Sequence, residues 1–238
     1  MPARELRAVF LDLDDTLTEY PGGFGAVLES VYRRAVSAGA PADGFDRFRR
    51  AYWNSTCGLW AAMHAGTISG RQARLVRMRR GLEAVSVSDD ALTQRLSHHW
   101  DDLALNSPDL RPGADDLLGW LRGRVFLGLI TDGYADLQRR KLKRLGLEDR
   151  FDRVQISEEV GTSKPFARTF RLSLEAAGVA PVEAVMVGDN ANSDVRGALG
   201  VGMQAVHLQP GGPVNTPAGA TWAGDLADVR RLLEEALG

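Results

Sequence analysis

The chain has 238 residues, 44% hydrophobic and 25% charged, the balance of a folded globular protein long enough for one domain with an insert. A net charge of −2 leaves no global basic field to hold nucleic acid or an anionic membrane. No run approaches the about 18 apolar residues of a membrane span. A single cysteine, Cys57, excludes an internal disulfide and fits a reducing, cytoplasmic setting.

The first apolar run, Arg7–Leu13, turns acidic too soon for a signal peptide and has the pattern of a strand buried on both faces of a parallel sheet. Behind it comes Tyr20–Gly25 (YPGGFG), whose composition predicts a hinge or flap. From there to Leu105 the text is helical: Ala26–Ala38, Phe45–Trp60, Ser69–Leu82 and Asp89–Leu103. After a Gly/Pro-rich break at Asn106–Gly113, strands and helices alternate. Strands are predicted at Val125–Ile130 and Ala184–Val187, with a weaker run at Gln204–Leu208 and a short apolar stretch at Val154–Ile156. Helices are predicted at Ala114–Leu121, Tyr134–Leu145, Phe166–Ala177, Ser193–Leu199 and Leu226–Leu237. This alternation predicts an α/β fold: a Rossmann-like parallel sheet with helices on both faces, carrying an inserted all-α cap domain. The boundaries fall at 1–18 and 106–238 for the core and 19–105 for the cap.

Ligands of an open parallel sheet bind at the carboxyl ends of its strands. After the first strand comes Asp12-Leu13-Asp14-Asp15-Thr16, after the second Thr131-Asp132-Gly133, and after the strand ending at Val187 comes Gly188-Asp189-Asn190, with Asp194 beyond. Ser163-Lys164-Pro165 opens a helix. Each segment alone is an ordinary turn or helix cap. Together, closely packed carboxylates need a cation among them. Asp12, Asp189 and Asp194 offer hard oxygen ligands suited to Mg²⁺, while Lys164, the Thr131 hydroxyl and nearby backbone N–H groups suit a phosphate.

These segments resemble the four motifs of the haloacid dehalogenase superfamily: DLDDT at Asp12–Thr16, Thr131, Lys164-Pro165, and GDNANSD at Gly188–Asp194. The helical insert is similar in position to the C1 cap of subfamily I. The resemblance implies a phosphoric monoester hydrolase acting on a small phosphorylated metabolite, working as a monomer or homodimer, with no nucleic-acid or membrane partner. It further implies Asp12 as nucleophile and Asp14 as acid and base. Mg²⁺ would lie on Asp12, Asp189 and the Asp14 carbonyl, and Thr131, Asp132, Gly133 and Lys164 around the phosphate. Asp194 would support the metal or orient Lys164. Sugar-phosphate mutase, haloacid dehalogenase and a non-catalytic binding module are the alternatives. Asp14 speaks against the dehalogenase, which protonates no leaving group, and the retained acids and Lys164 against the binding module. Asp132 stands where many relatives have Asn.

Within the cap, Arg71–Arg80 reads as a solvated helix face, with a subset facing a cleft as the sharper alternative. Trp53 and Trp60, seven apart, are expected on one helical face as packing. The adjacent His98 and His99 point apart on a helix, which argues against a metal site. Cys57 is expected to be buried.

Overall fold

A computed structural model describes residues 5–238; the side chain of Cys57 is outside the described set. The chain divides into two units, 1–19 with 109–133 and 142–238, and 20–108 with 134–141.

The first unit is built on six parallel strands: β1 (Ala8–Leu11), β4 (Phe126–Thr131), β5 (Arg153–Ile156), β6 (Ala184–Gly188), β7 (Gln204–Leu208) and β8 (Thr221–Ala223). Their order is β5-β4-β1-β6-β7-β8, so the chain moves outward on one side of β1 and then on the other. The switch of direction beside β1 puts its carboxyl end where such sheets bind ligands. Leu11 is in register with Leu129 of β4 and Val187 of β6, so the segments that follow all three emerge at one level.

The period-two alternation of β1 explains why it is apolar throughout. Val9 and Leu11 pack on one face with α6 (Ala114–Leu121) and α11 (Leu226–Leu237). Ala8 and Phe10 pack on the other with Phe170 and Leu174 of α9 (Ala167–Ala177) and with Ala198 of α10 (Gly197–Leu199). Gly128 makes room for Phe10, because a Cβ there would lie 2.5 Å from its ring. The short α8 (Ser157–Val160) follows β5, and a π-helical turn, Ala191–Arg196, follows β6.

Two short strands have no sequence signature: β2 (Thr18–Glu19) and β3 (Asp109–Leu110) form an antiparallel ribbon. Arg111 ties it to the segment after β1, donating to the Asp15 carbonyl at 2.8 Å and pairing with Glu19 at 3.6 Å.

The second unit consists of α1 (Phe24–Ser37), α2 (Phe45–Asn54), α3 (Thr56–His64), α4 (Gly70–Glu83), α5 (Asp90–Asn106) and the first seven residues of α7 (Ala135–Arg144). Tyr134–Lys141 thus packs with the helical unit rather than falling in the 106–238 segment. Its core joins Val31, Tyr32, Phe48, Tyr52, Met78 and Trp100 to Tyr134 and Leu137. A Ser69–Gln72 capping box starts α4, and the Asp89 side chain caps α5. The single helix expected over Phe45–Trp60 breaks at Ser55, whose hydroxyl donates to the Tyr52 carbonyl at 2.8 Å. Trp53 and Trp60 therefore lie on different helices, and the same-face expectation does not hold.

The solvated face expected for Arg71–Arg80 also fails in part. Arg74 and Arg77 are buried on one face of α4. Gly22 and Gly23 sit at φ 76° and 80°, so the turn before α1 needs residues free to adopt left-handed backbone. Tyr20 is buried, with its hydroxyl between Lys141 Nζ and the Ala104 carbonyl.

Candidate active site

Asp12 follows the last residue of β1 and is locked to the sheet by its N–H, which donates to the Val187 carbonyl at 3.0 Å. The chain then turns sharply: the N–H groups of Thr16, Leu17 and Thr18 all reach back to the Leu13 carbonyl, and Asp15 takes φ 61°. Buried Leu13 and Leu17 anchor that turn in the core. Asp12, one residue past β1, is thereby buried at the carboxyl edge, and Asp14 is half-buried.

Lys164 is the hub. Its ammonium lies 2.6 Å from Asp12 Oδ1, 2.6 Å from Asp194 Oδ1 and 3.0 Å from the Ile130 carbonyl. It donates to Asp12 and to the Ile130 carbonyl, while Asp194 Oδ1 faces it as a close ion pair without hydrogen-bond alignment. The second oxygen of Asp194 accepts from the Asn190 N–H at 3.0 Å. Asp132 accepts the Lys164 backbone N–H at 3.2 Å. Its charge thus helps to fix the lysine segment. Thr131, buried at the end of β4, completes the group. The Gly133 N–H, expected to face a phosphate, donates instead to the Ser157 hydroxyl at 3.1 Å. This happens because β5 brings the start of α8 beside that turn.

Asp12, Asp189 and Asp194 have carboxylate oxygens within 4.8 Å of one another, and no other such group of three occurs among the described residues. Asp14 contributes no carboxylate to it. At an effective dielectric of about 20, each pair of ionised groups at that distance repels by roughly 3.5 kcal/mol. Burial holds the Asp12 carboxyl well above the usual range, against the pull of Lys164 and with help from Asp194 and Asp189. Burial pushes Asp189 up to about 6, aided by Asp194 and Asp15. Burial likewise brings Asp132 to about 6 although Lys164 opposes it. Burial pulls Lys164 down, yet Asp12 and Asp194 outweigh it and hold the ammonium charged. One lysine does not neutralise this many buried acids. The donor set, all hard oxygen, fits a divalent cation that would let them ionise together.

Two supports were not singled out from sequence. The Thr16 hydroxyl donates to Asp189 Oδ1 at 3.1 Å and accepts the Asp189 N–H at 3.0 Å, clamping the first segment to the fourth. His207 on β7 is buried with Nε2 2.9 Å from the Asp189 carbonyl and Nδ1 2.9 Å from the Thr216 hydroxyl. A carbonyl only accepts, so Nε2 carries a proton. A lone histidine in an apolar strand gives no sequence signal for this role.

The family model for haloacid dehalogenase-like hydrolases matches residues 6–202. This chain belongs to that family. A phosphoserine phosphatase from Thermus thermophilus is 36% identical over 98% of this chain and 100% of its own length. A ribulose-1,5-bisphosphate 5-phosphatase from Halopiger xanaduensis is 32% identical over 97% of this chain and 94% of its own. Among solved structures, the HAD-hydrolase YfnB from Bacillus subtilis, bound to magnesium, superposes with a TM-score of 0.70. It is 22% identical and covers 97% of this chain and 99% of that one, a likeness of fold. The chain is a haloacid dehalogenase superfamily phosphatase, a phosphoric monoester hydrolase, on the Rossmann-like parallel sheet read from its sequence. No helix among the described residues is long and apolar enough to cross a membrane.

Proposed function

We propose that the chain hydrolyses a small phosphorylated metabolite with Mg²⁺, through a phosphoryl group carried on Asp12. The observation that carries this reading is the Lys164 ammonium at 2.6 Å from both Asp12 and Asp194, beside the three-carboxylate group. Relatives named for a phosphorylated amino acid and a phosphorylated sugar support a small substrate.

In this reading Asp12, at the end of β1, attacks phosphorus as a carboxylate, and the bond to the ester oxygen breaks. Asp14 gives its proton to the departing oxygen. It then takes a proton from a water, which attacks the same phosphorus and releases Asp12 and inorganic phosphate. Lys164 pulls Asp12 toward its anion and pairs with the phosphate charge, and Thr131 offers a hydroxyl to the same oxygens. Mg²⁺, held by Asp12, Asp189 and the Asp14 carbonyl, would screen the repulsion between carboxylate and phosphate. With one oxygen on Lys164 and the other on the Asn190 N–H, Asp194 serves better to orient Lys164 than to bind the cation directly. Asp132 holds the Lys164 backbone in place.

The test is hydrolysis of p-nitrophenyl phosphate with Mg²⁺ and after chelation. Asp12→Asn is expected to lower kcat by roughly 10³-fold or more, since nucleophile and cation ligand go together. Chelation should abolish turnover. A variant that keeps its activity would remove Asp12 from the mechanism.

A further inference from the structure

Arg77 is 4% exposed, yet among the described residues no carboxylate pairs with it. Its Nη1 donates to the Tyr134 hydroxyl at 2.9 Å. Its Cζ lies 4.1 Å from the centroid of the Tyr52 ring and 4.8 Å from that of Trp53. Its Nε and Nη2 are buried without an acceptor.

Arg74, three residues earlier on the same helix, shows the contrast. Asp101 lies 2.8 Å from its Nε, and Asp136 accepts two bonds at 3.0 and 2.8 Å. The unit thus supplies two acids to one buried arginine and none to the next. An arginine does not shed its proton on burial, so Arg77 remains a cation lacking a counter-charge. Trp100, whose ring centroid lies 6.2 Å from that of Tyr134, carries a further buried N–H, Nε1, without an acceptor among the described residues. Protein cores normally satisfy such donors. The chemical complement of an unfilled guanidinium fork is a carboxylate or phosphate.

We propose that the helical unit carries an oxyanion site at Arg77, taking the carboxylate or phosphate group of a small organic anion, with the Trp53 ring as its cover. Trp53 is 38% exposed while one side of its ring packs on the guanidinium, so its displacement opens the unused donors. The ligand is a free anion, so the site does not rest on the phosphatase reading above.

Malonate, a dicarboxylate without phosphorus, is titrated into the full chain in metal-free buffer and followed by tryptophan fluorescence and calorimetry. Saturable binding is expected, weakened about tenfold or more by Arg77→Gln, as for loss of a charged hydrogen-bond donor. Arg77→Lys, which keeps the charge but not the fork, should retain part of it and carries the test if Arg77→Gln does not fold. Thermal melts report folding. No malonate binding to the parent protein, or equal binding by the folded variants, overturns the site. Failure to hydrolyse any phosphomonoester leaves the titration readable and counts against the phosphatase reading alone.

Discussion

Gly188, the last residue of β6, stands where the site leaves no space. A Cβ built there lies 2.4 Å from Asp194 Cγ and Oδ2 and 2.5 Å from Asp194 Cβ. Carbon atoms pack best at about 3.5–4.0 Å, so Gly188→Ala requires a separation of roughly 1 Å. Asp194 has little freedom to give, because its side chain is buried, one oxygen is on Lys164 and the other on the Asn190 N–H. Overpacking of this kind costs about 1–3 kcal/mol, which for a chain of this size lowers Tm by roughly 3–10 °C. Displacing the brace of Lys164 by about 1 Å should lower kcat by about 10²-fold. The assay is Mg²⁺-dependent hydrolysis of p-nitrophenyl phosphate alongside thermal melts. A double-mutant cycle isolates the cause: Asp194→Gly removes every atom in the clash, so the two substitutions should be non-additive in stability by about 0.5–3 kcal/mol. Strict additivity, or a Gly188→Ala protein with the parent's kcat, would refute the steric account.

Two more predictions concern the helical unit. A Cβ on Gly81 in α4 would lie 2.7 Å from the ring of buried Phe48, so Gly81→Ala should destabilise by about 1–3 kcal/mol, less up to about 1 kcal/mol of gained helix propensity; a raised Tm would contradict this packing. Burial pushes the Asp101 carboxyl up to about 6 although Arg74 lies beside it. Arg74 Nε and Asp101 Oδ1 are 2.8 Å apart but not aligned for a hydrogen bond. With a folded pKa above the unfolded value of about 3.9, the folded chain binds more protons over that interval. The stability this group contributes is therefore present at low pH and lost as pH rises through about 6. Asp101→Asn, always neutral, should gain in Tm on the parent protein as pH is raised from acid to neutral; a difference that shrinks instead would show that the ion pair dominates.

What was legible in the sequence follows from how each signal is stored. Strands buried on both faces of a parallel sheet are apolar nearly throughout, so β1, β4 and β6 stand out against their neighbours and β7, with Gln204 and His207, more weakly. The acids after β1, β4 and β6 follow directly. The ribbon of β2 and β3 gives no period, because each strand has two residues and partners one ninety positions away. Ser55 breaks a helix by a local side-chain bond that competes with an otherwise continuous pattern. Thr16 and His207 carry information only in their distant partners. Thr16 looks like motif spacing until Asp189 is set against it, and His207 like an apolar strand's stray polar residue until the Asp189 carbonyl is. Arg74 and Arg77 show the same limit most sharply. Three residues apart in an arginine-rich helix, both read as solvated. Packing gives one of them two acids and the other only aromatic faces, so the chemical difference between them exists only once Asp101, Asp136, Tyr52 and Trp53 have been brought alongside.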